Sequence, residues 1–151
     1  MGVNRGKDFE KQVRSGFEHI PDTTVTRLLD PQAGYAGVRN ICDFIVYHNP
    51  HQYFLECKSC YGNTLPFTNI TQNQWDGLLE MSKVSGVKAG YLVWFIDHDK
   101  TFYVPATLAE KYRKSGKKSL RFDDKGLFEI DSVRKRVVFD YDFSKFFGEY
   151  L

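Results

Sequence analysis

The sequence contains little cysteine, no strong excess of charge of either sign and no long hydrophobic run. Three cysteines in 151 residues are an odd number, which argues against a disulfide framework and indicates a reducing, cytoplasmic compartment. The formal net charge of +2 neither requires nor excludes a nucleic-acid partner. No stretch approaches the ~20 apolar residues of a membrane span. The residues after Met1 also lack the apolar segment of a secretory signal.

The composition is that of a folded protein. Hydrophobic residues make up 42% of the chain and aromatic residues 16%, and the length predicts one domain over residues 1–151. Basic residues concentrate in two clusters, and such clusters can contact phosphates, although a solvated surface explains each equally well. The clusters are Lys111, Arg113, Lys114, Lys117, Lys118 and Arg121, and then Arg134, Lys135 and Arg136.

The hydrophobic pattern predicts an α/β fold. Apolar residues at helical spacing indicate a helix from Lys7 to Glu18, and β-branched residues indicate a strand from Thr23 to Leu29. A hairpin then precedes further alternating elements. These are a helix from a capping box at Thr71 to near Gly86, strands Lys88–Ile96 and Thr101–Val104, a helix Ala106–Lys114, a strand Arg136–Phe139 and a helix Phe143–Tyr150. The order predicts a mixed central sheet flanked by helices.

The hairpin brings three charged residues together. Two apolar runs, Phe44–Tyr47 and Tyr53–Leu55, flank a turn at residues 48–51. If the hairpin is symmetric about that turn, Asp43 lies opposite Glu56, and Lys58 projects from the same face as Glu56. Like charges placed opposite each other destabilise a sheet, so the pair favours a divalent cation between the carboxylates.

Two other interpretations of this segment are open. An Asp before a strand is often a turn residue, and an E-x-K pair can belong to a solvated strand face. Separately, His48, His51, Cys57 and Cys60 offer two imidazoles and two thiols, a set typical of zinc sites. Against zinc, Cys57 alternates with Glu56 along the strand and is therefore expected to face the buried side.

Four segments form an ordered set along the chain. They are Asn4-Arg5-Gly6 with Glu10, Asp43 with Glu56 and Lys58, Pro66–Ile70 with Gln74, and Lys118-Ser119-Leu120. This set, over about residues 4–125, resembles the RecU-type Holliday junction resolvases of the PD-(D/E)XK nuclease superfamily. The E-x-K motif alone is unspecific, whereas the ordered set is much more specific.

The resemblance implies phosphodiester hydrolysis that depends on Mg²⁺, with Mn²⁺ as a substitute, within a PD-(D/E)XK (restriction-endonuclease-like) core. Asp43 and Glu56 would hold the metal, the Cys57 backbone carbonyl could add a ligand, and Glu10 would complete or support the site. Lys58 would position or help deprotonate the attacking water and stabilise charge on the phosphate.

Further residues of the resemblance have expected roles with competing explanations. Gln74 would hydrogen-bond a phosphate or a metal-bound water, whereas the capping box begun by Thr71 would claim the same side chain. Arg5 is expected to contact DNA, with a frayed terminus as the alternative. The expected DNA-binding residues of the basic cluster are Lys117, Lys118 and Arg121.

The chain also departs from the resolvase pattern. RecU-like enzymes carry a long stalk between their first two strands, and only the short loop Asp30–Asn40 occupies that place here. Ile41-Cys42 precede Asp43 where the family tends to have threonines. These differences bear on junction preference more than on the chemistry.

The expected partners are branched DNA and a second copy of the chain, because two symmetric nicks need two active sites. The aromatic strand Tyr91–Phe95 or the terminal helix with Phe143, Phe146 and Phe147 is predicted to supply the dimer interface. The alternatives are another PD-(D/E)XK endonuclease, of restriction or repair type, and a DNA-binding module without catalysis.

Overall fold

The structure is a computed structural model that describes residues 5–29, 40–135 and 138–149. In chain order the elements are α1 (Arg5–Glu18), β1 (Thr23–Arg27), β2 (Phe44–His48), β3 (His51–Cys60), β4 (Thr64–Pro66), α2 (Gln72–Ser82), β5 (Val87–Phe95), β6 (Lys100–Pro105), α3 (Ala106–Lys114), β7 (Ser119–Arg121), β8 (Phe128–Glu129), β9 (Asp131–Lys135), β10 (Val138–Asp142) and α4 (Ser144–Glu149). Single turns of 3-10 helix lie at Phe67–Asn69 and Ile96–His98.

A six-stranded mixed sheet forms the centre of the fold, in the order β1-β2-β3-β5-β6-β8. β3 and β5 run parallel and are joined through α2, while the other neighbours are antiparallel. Two small antiparallel pairs, β4 with β7 and β10 with β9, lie outside it. The predicted α/β fold with a mixed central sheet flanked by helices is therefore confirmed.

Each face of the sheet is covered by its own hydrophobic core, because the central strands bury side chains on both sides. We call these the α1-side core and the α2-side core. The α1-side core includes Phe9, Val13, Phe17, Tyr53, Leu55, Phe143, Phe146 and Phe147. The α2-side core includes Leu65, Phe67, Trp75, Leu78, Tyr91, Val93 and Leu120. These two cores hold the β2–β3 hairpin between them.

The hairpin has the predicted register. Phe44 pairs with Leu55 and His48 with His51, so paired positions are symmetric about the turn. Beyond β2 the Asp43 N–H donates to the Leu55 carbonyl oxygen at 3.1 Å, which is one residue out of this register because Leu55 itself pairs with Phe44. The Asp43 carboxylate nevertheless lies beside Glu56, since it accepts a hydrogen bond from the N–H of the next residue, Cys57.

The predicted dimer surfaces are wrong as assigned. All residues of Tyr91–Phe95 are at most 4% exposed, and Phe143, Phe146 and Phe147 are at most 2% exposed. The aromatic side chains pack within the chain, with Phe17 stacked on Phe143 at a centroid distance of 3.8 Å. Burial inside the sandwich explains an apolar pattern that sequence alone could equally assign to an interface.

Several predicted boundaries also shift. The segment expected to be a loop, Gly62–Asn69, contains β4, and α2 ends at Ser82 rather than near Gly86. Residues 136 and 137 of the predicted strand Arg136–Phe139, and most of the loop Asp30–Asn40, lie outside the described residues. Among the described residues, no helix has the length and apolar character needed to cross a membrane.

The absence of a side chain at Gly90 allows β6 to approach β5 closely. A Cβ atom at Gly90 would lie 2.3 Å from the Val104 carbonyl oxygen and 3.0 Å from the Pro105 Cα atom. Gly90→Ala should therefore lower the free energy of unfolding by about 1–3 kcal/mol, because backbone atoms must shift. Chemical denaturation measures this.

The matched control is Gly148→Ala, in α4, where an added Cβ meets nothing within 4 Å among the described residues. Alanine is the better helix former, so stability should rise slightly or stay unchanged. Equal effects of the two substitutions would contradict the close-approach argument.

Candidate active site

The candidate site lies on the α2 side of the sheet, where the hairpin strands carry their charged residues. Asp43 is fixed by its carboxylate, since Oδ2 accepts a hydrogen bond from the Cys57 N–H at 2.9 Å. Glu56, opposite it, is only 5% exposed. The alternation of β3 places Cys57 on the other face, packed against the α1-side core. The two carboxylates therefore face each other in a largely buried place.

Glu56 is held by two polar partners on its Oε2 atom. Lys58 Nζ lies 3.2 Å away, and Gln74 Nε2 donates a hydrogen bond at 2.9 Å. Lys58 reaches Glu56 from the same strand face, and Gln74 reaches it from the first turn of α2. The predicted set of Asp43, Glu56, Lys58 and Gln74 is thus brought together by the fold.

Gln74 forms the predicted capping box and at the same time hydrogen-bonds Glu56 of the candidate site. Its Oε1 atom accepts from the Thr71 N–H at 3.2 Å, while the Thr71 hydroxyl oxygen accepts from the Gln74 N–H at 3.2 Å. This is the reciprocal capping box of α2. Because an amide has both an acceptor and donors, the Nε2 atom stays available for Glu56. The cap itself orients the side chain toward the site.

Glu10 approaches the site through an arginine that sequence reasoning missed. Arg27, at the end of β1, donates from Nη2 to Glu10 Oε2 at 3.1 Å, and the same nitrogen lies 3.5 Å from Asp43 Oδ1. The guanidinium also stacks on Phe44, 5.6 Å from the ring centroid. Arg27 is a cationic residue at the end of the edge strand β1, and its strand partner Phe44 directly follows Asp43. That strand pairing, rather than a local sequence pattern, brings Arg27 to the site. Glu10, Arg27 and Asp43 form a charged chain across the sheet edge.

Burial and like charge raise the pKa values of two carboxyl groups here. Desolvation by burial raises the pKa of Glu56 to about 8, with the neighbouring Asp43 charge adding to it and Lys58 opposing it. The pKa of Glu10 is raised by burial first and by Asp43 second, with Arg27 opposing the shift. A divalent cation next to Glu56 would favour its ionised form and so oppose this shift of its pKa.

The donor set fits a hard, oxygen-preferring cation. Among the described residues, no three His, Cys, Asp or Glu side chains come together as a metal cluster. Mg²⁺ commonly takes only one or two protein carboxylates and completes its shell with water and substrate phosphate. Asp43 and Glu56 satisfy that requirement, whereas Glu10 bonds to Arg27 instead.

The zinc interpretation does not fit the structure. Cys57 packs on the α1 side of β3, whereas Cys60 is buried in the α2-side core. His48 bonds the Thr23 hydroxyl through Nδ1 at 3.0 Å and stacks on Phe147. The two thiols lie on opposite faces of the sheet, so they cannot share one ion.

The predicted DNA-binding residues have different surroundings. Arg5 is exposed at the start of α1. Lys117 pairs with Asp124, and Arg121 pairs with Asp123 at 2.6 Å, so both are engaged by acidic residues of the following turn. Lys118 is exposed, and no carboxylate within the described residues pairs with it. The fold does not bring Arg5 or the 117–121 segment into the Asp43–Glu56 cluster.

Comparison with known proteins identifies the family. The profile of the RecU family, described as Recombination protein U, matches residues 23–141. The chain belongs to the RecU family. One similar solved structure is that of Archaeoglobus fulgidus Hjc, a Holliday junction resolvase from an archaeal hyperthermophile. It shares 14% sequence identity, with 86% of this chain and 88% of that chain covered and a TM-score of 0.46. No curated protein sequence matches this chain.

The matched segment spans Asp43, Glu56, Lys58 and Gln74. Glu10 precedes it. The ordered motifs that suggested RecU-type proteins from sequence therefore lead to the correct family.

The raised pKa of Glu56 predicts that the metal-free protein loses stability as pH rises. The ordinary pKa is 4.5 and the folded value is about 8, so between these values the folded state holds a proton that the unfolded state has released. Since the unfolded state binds fewer protons, the free energy of unfolding falls with pH across this window. The Glu56→Gln variant has no ionisable group at this position, so its stability should lack this pH dependence.

The measurement is chemical denaturation of both proteins in EDTA from pH 5 to pH 8. Glu56→Gln should become progressively more stable relative to wild type as pH rises. Parallel stability curves for the two proteins would show that Glu56 does not titrate in this window.

Proposed function

We propose that this protein is a metal-dependent endonuclease that resolves Holliday junctions by hydrolysing phosphodiester bonds. Membership of the RecU family supports the substrate class. The observation that carries the chemistry is the buried pair of facing carboxylates, Asp43 and Glu56, with Lys58 3.2 Å from Glu56. Oxygen ligands next to a fixed cation are what phosphodiester hydrolysis at a divalent metal requires.

Asp43 and Glu56 hold Mg²⁺ or Mn²⁺ in this proposal, and the Cys57 carbonyl oxygen can add a ligand. When bound, such a metal lowers the pKa of a water ligand, polarises the phosphate and orients it. The hydrogen bond from the Cys57 N–H fixes Asp43, and Gln74 fixes Glu56. Side chains that are held before substrate arrives need no rearrangement during the reaction.

Lys58 supplies the cationic side chain next to the carboxylates. Its ammonium group hydrogen-bonds the attacking water and stabilises charge on the phosphate, at a place where its side chain is 18% exposed. A lysine suits this role because its pKa responds to burial and to nearby charge, whereas arginine stays protonated. Glu10 supports Asp43 through Arg27 and does not itself bind the metal.

Symmetric cleavage of a four-way junction would use two copies of the chain, and we propose a homodimer on that ground. A second candidate function is a PD-(D/E)XK endonuclease that acts on linear duplex, favoured by the short segment Asp30–Asn40 in place of the resolvase stalk. A non-catalytic DNA-binding module is the third, and the intact Asp43, Glu56 and Lys58 count against it.

Cleavage of a four-way junction beside a linear duplex of the same sequence tests the function. With Mg²⁺ the wild-type protein should nick the junction symmetrically and spare the duplex, and EDTA should stop the reaction. Asp43→Asn should abolish cleavage while leaving junction binding intact, because it removes a metal ligand and keeps the side-chain volume. Denaturing electrophoresis measures cutting, and gel shift measures binding.

Other results of this assay separate the alternatives. Equal cutting of the linear duplex favours a restriction or repair endonuclease, and binding without cutting in Mg²⁺ or Mn²⁺ favours the non-catalytic module. A fully active Asp43→Asn protein would contradict the assignment of Asp43 to the active site.

Gln74 and Thr71 offer a matched pair that separates helix capping from catalysis. Each alanine substitution removes part of the α2 capping box and should cost about 1 kcal/mol of stability. Only Gln74→Ala also removes the hydrogen bond to Glu56, so cleavage should fall about 10- to 100-fold in that variant alone. Junction cleavage rates, with melting temperatures as the control, measure both effects. Comparable rate losses in the two variants would mean that Gln74 acts only as a cap.

A further inference from the structure

Arg113 of α3 is held in a fixed orientation beside the start of α2. Its guanidinium carbon lies 4.4 Å from the centroid of the Trp75 ring. Nη2 donates to both carboxylate oxygens of Glu110, at 3.1 and 3.2 Å, and Glu110 also accepts from Trp75 Nε1 at 2.6 Å. Two side chains that are bonded to each other, Trp75 and Glu110, therefore fix the guanidinium plane before any ligand binds.

Much of the hydrogen-bonding capacity of this guanidinium is left unused. Both bonds to Glu110 come from Nη2, and no acceptor among the described residues bonds Nε or Nη1. Glu110 is 14% exposed and Arg113 is 43% exposed, so the carboxylate lies beneath and the unused donors can reach solvent. An arginine with free forked donors matches the geometry of a phosphate.

A cavity of about 250 Å³ opens beside Arg113. Its walls are Phe67, Thr68, Ile70, Gln72, Trp75 and Arg113. The apolar residues form the buried part, whereas Thr68 and Gln72 are exposed polar residues. The Phe67 N–H bonds the carbonyl oxygen of Lys118 at 3.0 Å, which places a further exposed lysine next to the cavity wall.

The cavity adjoins the candidate active site through the first turn of α2. Trp75, under the guanidinium, follows directly on Gln74, whose amide bonds Glu56. Gln72, which lines the cavity, belongs to the same turn. DNA bound at Asp43 and Glu56 would lie close to this turn, and the cavity beside Arg113 opens at the same turn.

We propose that Arg113, with Thr68 and Gln72, forms a subsite for a backbone phosphate of the bound DNA. The inference rests on the proposed nuclease function. Arg113 lines this cavity, whereas Lys117 and Arg121 do not line it and pair with acidic residues of the next turn.

The salt dependence of binding to a four-way junction in EDTA tests the subsite. The logarithm of the binding constant falls linearly with the logarithm of the salt concentration, and each phosphate contact adds about 0.9 to the magnitude of that slope. Loss of one contact should therefore reduce the magnitude by about 0.9. Arg113→Gln should show that decrease and bind roughly 5- to 10-fold more weakly near 100 mM salt. Lys111→Gln, an exposed cation on the same helix that does not line the cavity, is the control and should change affinity by about twofold or less.

A salt-dependence slope for Arg113→Gln equal to that of the wild-type protein would overturn the subsite. Equal losses of binding affinity in Arg113→Gln and Lys111→Gln would overturn it as well. Wild-type cleavage in the same preparation shows that such a failure leaves the proposed function intact, whereas a wild-type protein that binds no junction would overturn both. If Arg113→Gln does not fold, Arg113→Lys is measured in its place, because lysine keeps the positive charge but lacks the forked N–H donors of arginine. Weaker binding with an unchanged slope then supports the subsite, and unchanged affinity overturns it.

Discussion

The opposition of Asp43 and Glu56 across the β2–β3 hairpin is the constraint on which the site depends. Two carboxylates in a place where Glu56 is 5% exposed repel each other and lose hydration together. The surrounding contacts compensate each carboxylate separately. Asp43 takes a backbone N–H and the nearby Arg27, while Glu56 takes Lys58 and Gln74.

The rest of the fold keeps that opposition in place. A shift of one residue in the hairpin register would move Glu56 and Lys58 to the α1 side, and the two cores on either face make such a shift costly. The helix α2 contributes through its cap, because the bonds between Thr71 and Gln74 that begin the helix also aim the Gln74 amide at Glu56. Gln74 thus contributes both to the stability of α2 and to the geometry of the site.

What could be predicted from the sequence is what local chemistry determines. The turn at residues 48–51 sets the hairpin register, so the grouping of Asp43, Glu56 and Lys58 follows from short-range rules. The capping box predicts the start of α2, whereas the place of Gln74 in the site was predicted from the family resemblance alone. The link from Glu10 through Arg27 to Asp43 joins α1 to the end of β1, and no local pattern encodes it. The apolar character of Tyr91–Phe95 likewise could not distinguish a chain's own core from an interface.

The charge balance of the site is consistent with the raised pKa of Glu56. Glu10, Asp43 and Glu56 meet two cations, Arg27 and Lys58, so one negative charge is left uncompensated when all three carboxylates are ionised. In the metal-free protein near neutral pH, a proton on Glu56 removes that charge, in keeping with its pKa of about 8. In the proposed metal site, a divalent ion held by Asp43 and Glu56 would favour the ionised carboxylate, and the proton would be released. The burial that makes two ionised carboxylates unfavourable by themselves would therefore favour a bound cation.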